Sequence, residues 1–373
     1  MRYFIIAGEQ SGDLHGSNLA KGLFEADKNA EIFCWGGDQL ESAGAVVLVH
    51  YSKMAFMGFT QVIKNLGTIS KNISLCKKHI IDYRPDVVIL IDYPGFNLRI
   101  AEFSKKAGFR TFYYISPKLW AWNESRVKKI KKYIDQMYII FPFEVDFYKK
   151  HNITVEYWGN PLIDEIEKRK SGFPALEHVY ETLNLEEKPL IALLAGSRIH
   201  EIELVLPEMI KIVRHFPEYQ FVIAGVKNIP DDIYQNIISD SPVKLIKGKT
   251  NELLFAAQAA LVTSGTATLE AALYNTPQVV CYKGDFITML IAWFVVKIKY
   301  ISLVNLIMNS EVIRELVQYD LKEKNLMNEL MAILPGGEKR ERILVDYMSL
   351  KDKLGPAGAS GRIARHMVAK IRD

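Results

Sequence analysis

Residues 259–272, Ala-Ala-Leu-Val-Thr-Ser-Gly-Thr-Ala-Thr-Leu-Glu-Ala-Ala, place an anion site and an acid within one short stretch. The apolar run 260–262 reads as a buried strand that breaks at Ser264-Gly265-Thr266 and continues as a small-residue helix. Gly265 permits a tight turn, and the first N–H groups of the helix lack intrahelical partners at the positive end of its dipole. Phosphate suits such an end. Glu270 lies further in, and because helical side chains tilt toward the N-terminus its carboxylate is aimed near the anion, where it could accept hydrogen bonds from sugar hydroxyls. Phosphate plus diol means a nucleotide or nucleotide-sugar. An ordinary β–loop–α unit with a Ser/Thr cap would carry the same residues.

Other loops pair glycine or proline with polar groups. The loop after the first apolar run holds Gly8-Glu9-Gln10-Ser11-Gly12-Asp13-Leu14-His15-Gly16. Its glycines let backbone approach a ligand closely, but the spacing is not that of the dinucleotide fingerprint. Glu9, Ser11, Gly12 and Asp13 are its cleft-facing candidates, while Asp13 would serve equally as a helix cap and His15 as a surface histidine. Asp92-Tyr93-Pro94-Gly95-Phe96-Asn97 ends a run of branched residues, and Asp92 stands where a general base should be; a capping Asp before a proline turn is the plain alternative. Gly196-Ser197-Arg198 repeats the strand-to-helix pattern, and Arg198 could fork onto a diphosphate as it leaves or simply sit on the surface. Asn305, in Ser302-Leu-Val-Asn305, could meet a nucleobase or sugar edge. There is no Walker A motif and no Asp-x-Asp clamp, and His151, His178, His200 and His215 lie at non-ligand spacings, so neither a metal nor a cofactor is expected.

Elements to hold these loops are legible. Apolar runs at 3–7, 32–35, 87–91, 111–115 and 136–140 alternate with helical stretches near 17–26 and 98–107. A second series, 190–194, 220–224, 243–246, 260–262 and 278–282, with a helix around 202–216, follows a charged stretch. Such alternation predicts an α/β chain of two doubly wound, Rossmann-like domains, with ligands outside the carboxyl ends of the strands and those ends facing across one cleft. The expected boundaries are 1–170, a linker at 171–188, and 189–345; residues 346–373 return to the first domain or reach a second protomer as a homodimer. At 373 residues, 49% hydrophobic and 24% charged, the chain suits two folded domains. Its net charge of +4 is too mild to argue for nucleic acid. Cys34, Cys76 and Cys281 form no disulfide framework, which fits a reducing cytoplasm, and the brief N-terminal apolar run is a strand and not a secretory segment.

Two segments invite a membrane reading. Residues 286–296 carry no charge and include Trp293 and Phe294, but Lys297 and Lys299 end the run well short of the ~20 residues a spanning helix needs. At helical spacing Phe56, Phe59, Ile63, Leu66, Ile69 and Ile73 share one face, with Lys53, Lys64 and Lys71 on another flank. Arg126, Lys128, Lys129, Lys131 and Lys132 form a second basic run. Burial against the chain's own core explains each; so would a lipid interface with anionic head groups.

Taken in order, Ala7-Gly-Glu-Gln-Ser-Gly-Asp13, Met57-Gly58, Ile91-Asp-Tyr-Pro-Gly-Phe-Asn97, Tyr114-Ile-Ser-Pro-Lys-Leu-Trp-Ala-Trp122, Phe141-Pro-Phe-Glu144, Gly159-Asn160, Gly196-Ser-Arg198, Ser264-Gly-Thr-Ala-Thr-Leu-Glu270 and Ser302-Leu-Val-Asn305 resemble the lipid-A-disaccharide synthase family of inverting GT-B glycosyltransferases. The resemblance implies transfer of a diacylglucosamine from its UDP derivative to diacylglucosamine 1-phosphate, with release of UDP. It implies an acceptor domain first and a UDP-sugar domain second, at the cytoplasmic face of the inner membrane. On it, Asp92 is the base for the acceptor 6-hydroxyl, Arg198 meets the donor diphosphate, Ser197, Ser264, Gly265, Thr266, Glu270 and Asn305 bind the UDP-sugar, and Phe56, Met57, Phe59, Ile63, Trp293 and Phe294 meet the membrane peripherally. Two positions depart from the family pattern: Gly95 stands where a second acid is frequent, leaving Asp92 as the only acid of its loop, and Ala195 stands where proline is frequent. The rival enzyme is a UDP-N-acetylglucosamine 2-epimerase, which shares the fold and the Gly-Asn-Pro element but carries a Ser-Gly-Gly run that this chain lacks. A lipid-binding module without turnover is the rival outside enzymes.

Overall fold

Strands built almost wholly of branched and apolar residues can be buried on both faces only if helices cover both sides of the sheet. Val87–Ile91 and Leu190–Leu194 are such strands, and every residue in them is buried. The structure, a computed structural model, describes residues 1–54, 66–119, 126–284 and 299–373. It divides into two units, Met1–Asp164 with Gly355–Asp373, and Glu165–Leu354.

The first unit has a seven-stranded parallel sheet of β1 (Arg2–Ala7), β2 (Glu31–Gly36), β3 (Val46–His50), β4 (Val87–Ile91), β5 (Arg110–Tyr114), β6 (Gln136–Ile139) and β7 (Glu156–Tyr157). Their spatial order is 3-2-1-4-5-6-7. Because side chains alternate along a strand, Phe4 and Ile6 of β1 enter one core with Ile73, Cys76, Ile100 and Ile130, while Tyr3 and Ile5 enter another with Leu19, Leu23, Ile363 and Met367. Ile73 and Val127 thus pack on the chain's own sheet, and Lys71, Lys128, Lys129, Lys131 and Lys132 stay exposed.

The second unit has a six-stranded sheet of β8 (Leu190–Leu194), β9 (Gln220–Gly225), β10 (Val243–Lys247), β11 (Ala257–Thr263), β12 (Gln278–Tyr282) and β13 (Glu315–Val317), in the order 10-9-8-11-12-13. All pairings between neighbours are parallel. The stretch 171–188 is not an open linker: it contains the helix Leu176–Thr182, and Gln220 donates to the carbonyls of Glu186 at 2.7 Å and Lys188 at 2.6 Å.

One element starts earlier than its composition suggests. The first helix runs Gln10–Ala26, so Gly12 and Gly16 lie inside it and not in a ligand loop. Their lack of a side chain serves packing: a Cβ on Gly16 would stand 3.1 Å from both Ile91 and Leu40. The C-terminal helix Ala359–Arg372 lies along this first helix, and its start is tied by the Asp164 carboxylate, which accepts from the N–H groups of Gly358 at 2.5 Å and Ser360 at 3.2 Å. Gly22 is the contact point, since a Cβ there would come within 2.8 Å of the Ala364 Cβ. Gly22→Val should therefore destabilise the first unit by about 1–3 kcal/mol through overpacking, read as a lower urea midpoint, whereas Gly108→Val at an exposed turn tests only local backbone strain.

Candidate functional site

In the first sheet Ala7, Ile91 and Tyr114 are in register, so the turns after β1, β4 and β5 leave the sheet side by side. The turn after β4 is abrupt. Asp92 and Tyr93 both take left-handed backbone angles, φ 43° and 47°, before the helix Pro94–Lys106 begins. Such residues cost about 1–3 kcal/mol each and persist only where surroundings over-determine them. Here the Asp92 N–H donates to the Tyr114 carbonyl at 3.1 Å, and its carbonyl accepts from Asn97 Nδ2 at 2.8 Å and the Tyr113 hydroxyl at 2.5 Å. The Tyr93 ring lies over Gly8, where a Cβ would meet it at 2.3 Å, and its hydroxyl donates to the Met54 carbonyl at 2.9 Å.

With its backbone bound in this way, Asp92 offers a partly buried carboxyl at the sheet edge. Burial raises its pKa to about 6; the charge of Glu9 adds to the rise, and Lys118 and the Tyr93 N–H oppose it. Asp13 is spent otherwise. Its carboxylate is 1% exposed and accepts from the N–H groups of Gly37 (2.7 Å), Gln39 (3.0 Å) and Leu40 (3.3 Å), capping the short helix Asp38–Ser42. Glu9, the half-buried residue at the start of the first helix, and Ser11, exposed like its neighbour Gln10, are polar side chains left at the edge.

In the second sheet Leu194 and Val262 are in register, so the junctions at 195–198 and 264–266 are neighbours. Gly196 has φ 117°, which favours glycine. Arg198 is exposed at the start of the helix Ile199–Lys211. Glu201 lies three residues on, and its carboxylate accepts from the N–H of Ser197 at 3.0 Å and of Arg198 at 3.3 Å, while Arg198 Nη1 donates to it at 3.3 Å. An acidic side chain thus already occupies the anion position of this helix end. A glutamate at the third position of the helix, the acidic half of a capping box, is the sequence signal that could have revealed it.

At the other junction the helix is Thr266–Leu273. Gly265 is extended (φ 160°, ψ −161°), so the turn does not demand glycine for its conformation; what glycine provides is open space, with nothing within 4 Å of a Cβ. Ser264 Oγ donates to the Ile301 carbonyl at 2.8 Å. Burial raises the Glu270 carboxyl pKa, offset by Arg169.

Asn305 departs from the expected ligand contact. It is fully buried, its Nδ2 donates to the Ile313 carbonyl (2.8 Å) and Glu315 Oε1 (2.9 Å), and its Oδ1 accepts from the N–H groups of Val312 (2.9 Å) and Ile313 (3.1 Å). That fills an amide's capacity. Glu315, which no local pattern marks, is the centre of this cluster. Phe56, Met57, Phe59, Ile63, Trp293 and Phe294 lie outside the described residues. Among those described, no cluster could hold a metal ion, and no helix is long and apolar enough to cross a membrane.

Residues 3–361 match the profile of the lipid-A-disaccharide synthetase family. The lipid-A-disaccharide synthase of Syntrophus aciditrophicus is 37% identical over 96% of this chain and 95% of its own. That of Trichlorobacter lovleyi is 34% identical over 100% and 98%, and lipid-A-disaccharide synthase 1 of Legionella pneumophila 35% over 100% and 98%. Among solved structures, the UDP-GlcNAc 2-epimerase of Neisseria meningitidis superposes with a TM-score of 0.69 at 13% identity, covering 99% of this chain and 100% of that one. A glycosyltransferase of Rickettsia africae gives 0.62 at 11%, covering 100% and 98%. At such identities the likeness is one of fold.

The raised pKa of Asp92 has a consequence for stability. With a folded value of about 6 against 3.8 for a free carboxyl, the folded state holds the proton more tightly. Its contribution is present below pH 4 and is lost as pH rises through 6. Asp92→Asn should therefore raise Tm over the native chain at pH 8 and leave the two equal at pH 4; an equal or lower Tm at pH 8 would show that ionised Asp92 is not strained.

Proposed function

The chain belongs to the lipid-A-disaccharide synthetase family, and from that membership we propose how its residues divide the work of the reaction. It is a UDP-sugar glycosyltransferase of lipid A biosynthesis with the GT-B fold. The reaction moves 2,3-diacylglucosamine from its UDP derivative to 2,3-diacylglucosamine 1-phosphate. The acceptor 6-hydroxyl oxygen bonds to the anomeric carbon, the bond from that carbon to the diphosphate breaks with inversion, and the hydroxyl proton goes to Asp92.

The observation that carries this assignment is the carboxyl of Asp92, fixed at a strand end with a pKa of about 6. Such a group is mostly ionised at neutral pH yet basic enough to take a proton in the transition state. Arg198 leaves Glu201 for the departing diphosphate, which gains a negative charge as its bond to the sugar breaks, joined by the N–H groups of Ser197 and of the helix behind Ser264, Gly265 and Thr266. Glu270 accepts from the ribose hydroxyls. Glu9 and Ser11 border the acceptor, whereas Gly12 and Asp13, buried in the first helix, support them from within. Both substrates carry acyl chains, so Phe56, Met57, Phe59 and Ile63, with Trp293 and Phe294, enter the inner-membrane interface from the cytoplasmic side.

A UDP-release assay with acylated and unacylated substrates tests this reading. Release should require both acylated partners, and Asp92→Asn and Arg198→Ala should each lower kcat/KM by roughly 10²–10³-fold. Full activity in Asp92→Asn removes the base assignment, and conversion of the UDP-sugar to an isomer of equal mass without UDP would favour an epimerase. Phe56→Ser with Phe59→Ser should weaken binding to anionic vesicles; unchanged binding contradicts the interface role.

A further inference from the structure

The strongest polar cluster that the reaction leaves without a role is centred on Glu315. This residue opens β13, in register with Val280 of β12. Its Oε1 accepts from the Ser302 N–H at 2.9 Å, the Ser302 hydroxyl at 2.6 Å and Asn305 Nδ2 at 2.9 Å, and its Oε2 accepts from the Ile301 N–H at 2.9 Å. Asn305 extends the cluster by holding the N–H groups of Val312 and Ile313, and Ser302 Oγ also caps the helix Leu303–Met308 by accepting from the Asn305 N–H at 3.3 Å. The opposite side of the same segment is held by Ser264, whose hydroxyl donates to the Ile301 carbonyl. Ile301 therefore links the Glu315 carboxylate to the Ser264-Gly265-Thr266 junction.

We propose that Glu315 is a positioning residue for the nucleotide half of the donor: through Ile301, Ser302 and Asn305 it holds residues 301–305 against the Ser264 junction, so that the pocket wall is set before UDP arrives. The inference rests on the reading of that junction as the UDP site. It gives Asn305 a role as a strut, since its amide has no bonding capacity left for a ligand. It also explains why a carboxylate is needed. Four donors converge on two oxygens, and a glutamine would turn an NH2 toward at least one of them, leaving a donor unsatisfied.

The test is UDP binding by calorimetry, with steady-state kinetics, on the full chain. Glu315→Gln should weaken UDP binding and raise KM for the UDP-sugar by about tenfold or more, with kcat at saturating donor and KM for the acceptor little changed. Asn305→Ala should do the same, and the double variant should lose less than the product of the two single losses, because both act through one cluster. Ser302→Ala removes one of the four bonds to Glu315 together with the cap on the helix Leu303–Met308 and should give a shift of the same kind, which decides the matter if Glu315→Gln does not fold. If the native chain fails to bind UDP, the reading of the site falls. If the native chain binds UDP and Glu315→Gln (or Ser302→Ala, where that variant decides) binds it equally, or loses acceptor and donor affinity alike, the positioning role falls alone.

Discussion

A parallel sheet must send the chain back through a crossover after every strand, so the carboxyl ends of its strands collect along one edge. Ala7, Ile91 and Tyr114 meet in this way in the first unit, and Leu194 and Val262 in the second. The polar residues of interest are the ones that leave those edges. Five buried apolar residues drive Asp92 to the end of β4. The backbone is held there in a left-handed conformation by Asn97, Tyr113 and Tyr114, which bond its carbonyl and N–H, and by the Tyr93 ring over Gly8.

The two units use that edge for opposite electrostatic ends. In the first, burial and the charge of Glu9 make a carboxylate less comfortable and therefore more basic. In the second, N–H groups at a helix start and an exposed arginine gather positive potential, which Glu201 neutralises by accepting from Ser197 and Arg198. A base and an anion cradle are what inverting transfer from a diphosphate sugar requires. On the proposed assignment, arginine and backbone N–H groups supply the positive charge that an Asp-x-Asp clamp, absent from the sequence, would otherwise bring.

Much of this was legible because central parallel strands announce themselves. Val87–Ile91, Leu190–Leu194 and Gln278–Tyr282 coincide with apolar runs visible in the sequence. Glu156–Tyr157 and Glu315–Val317 do not stand out, since each is a short strand at a sheet edge that mixes a glutamate with apolar residues. Site residues were harder to read, for a different reason. Asp13 and Asn305 have the right chemistry for a ligand, but the first bonds to residues 37–40 and the second to 312–315. No local pattern reveals that a polar side chain is already spent on a partner elsewhere in the chain. Glycines misled in the same way: Gly12 and Gly16 looked like loop residues and turn out to let a helix sit close to its sheet.

The claim on which the rest turns is that Asp92 accepts the acceptor's proton with a pKa set by its place at the end of β4. The pH dependence of kcat/KM for UDP release measures this most directly, because that ratio reports the ionisation of the free enzyme. An acid limb with its midpoint near 6, falling about tenfold per pH unit below it and absent from the residual activity of Asp92→Asn, is the result the structure predicts. A profile flat from pH 5 to 8, or a limb that survives unchanged in Asp92→Asn, would contradict it.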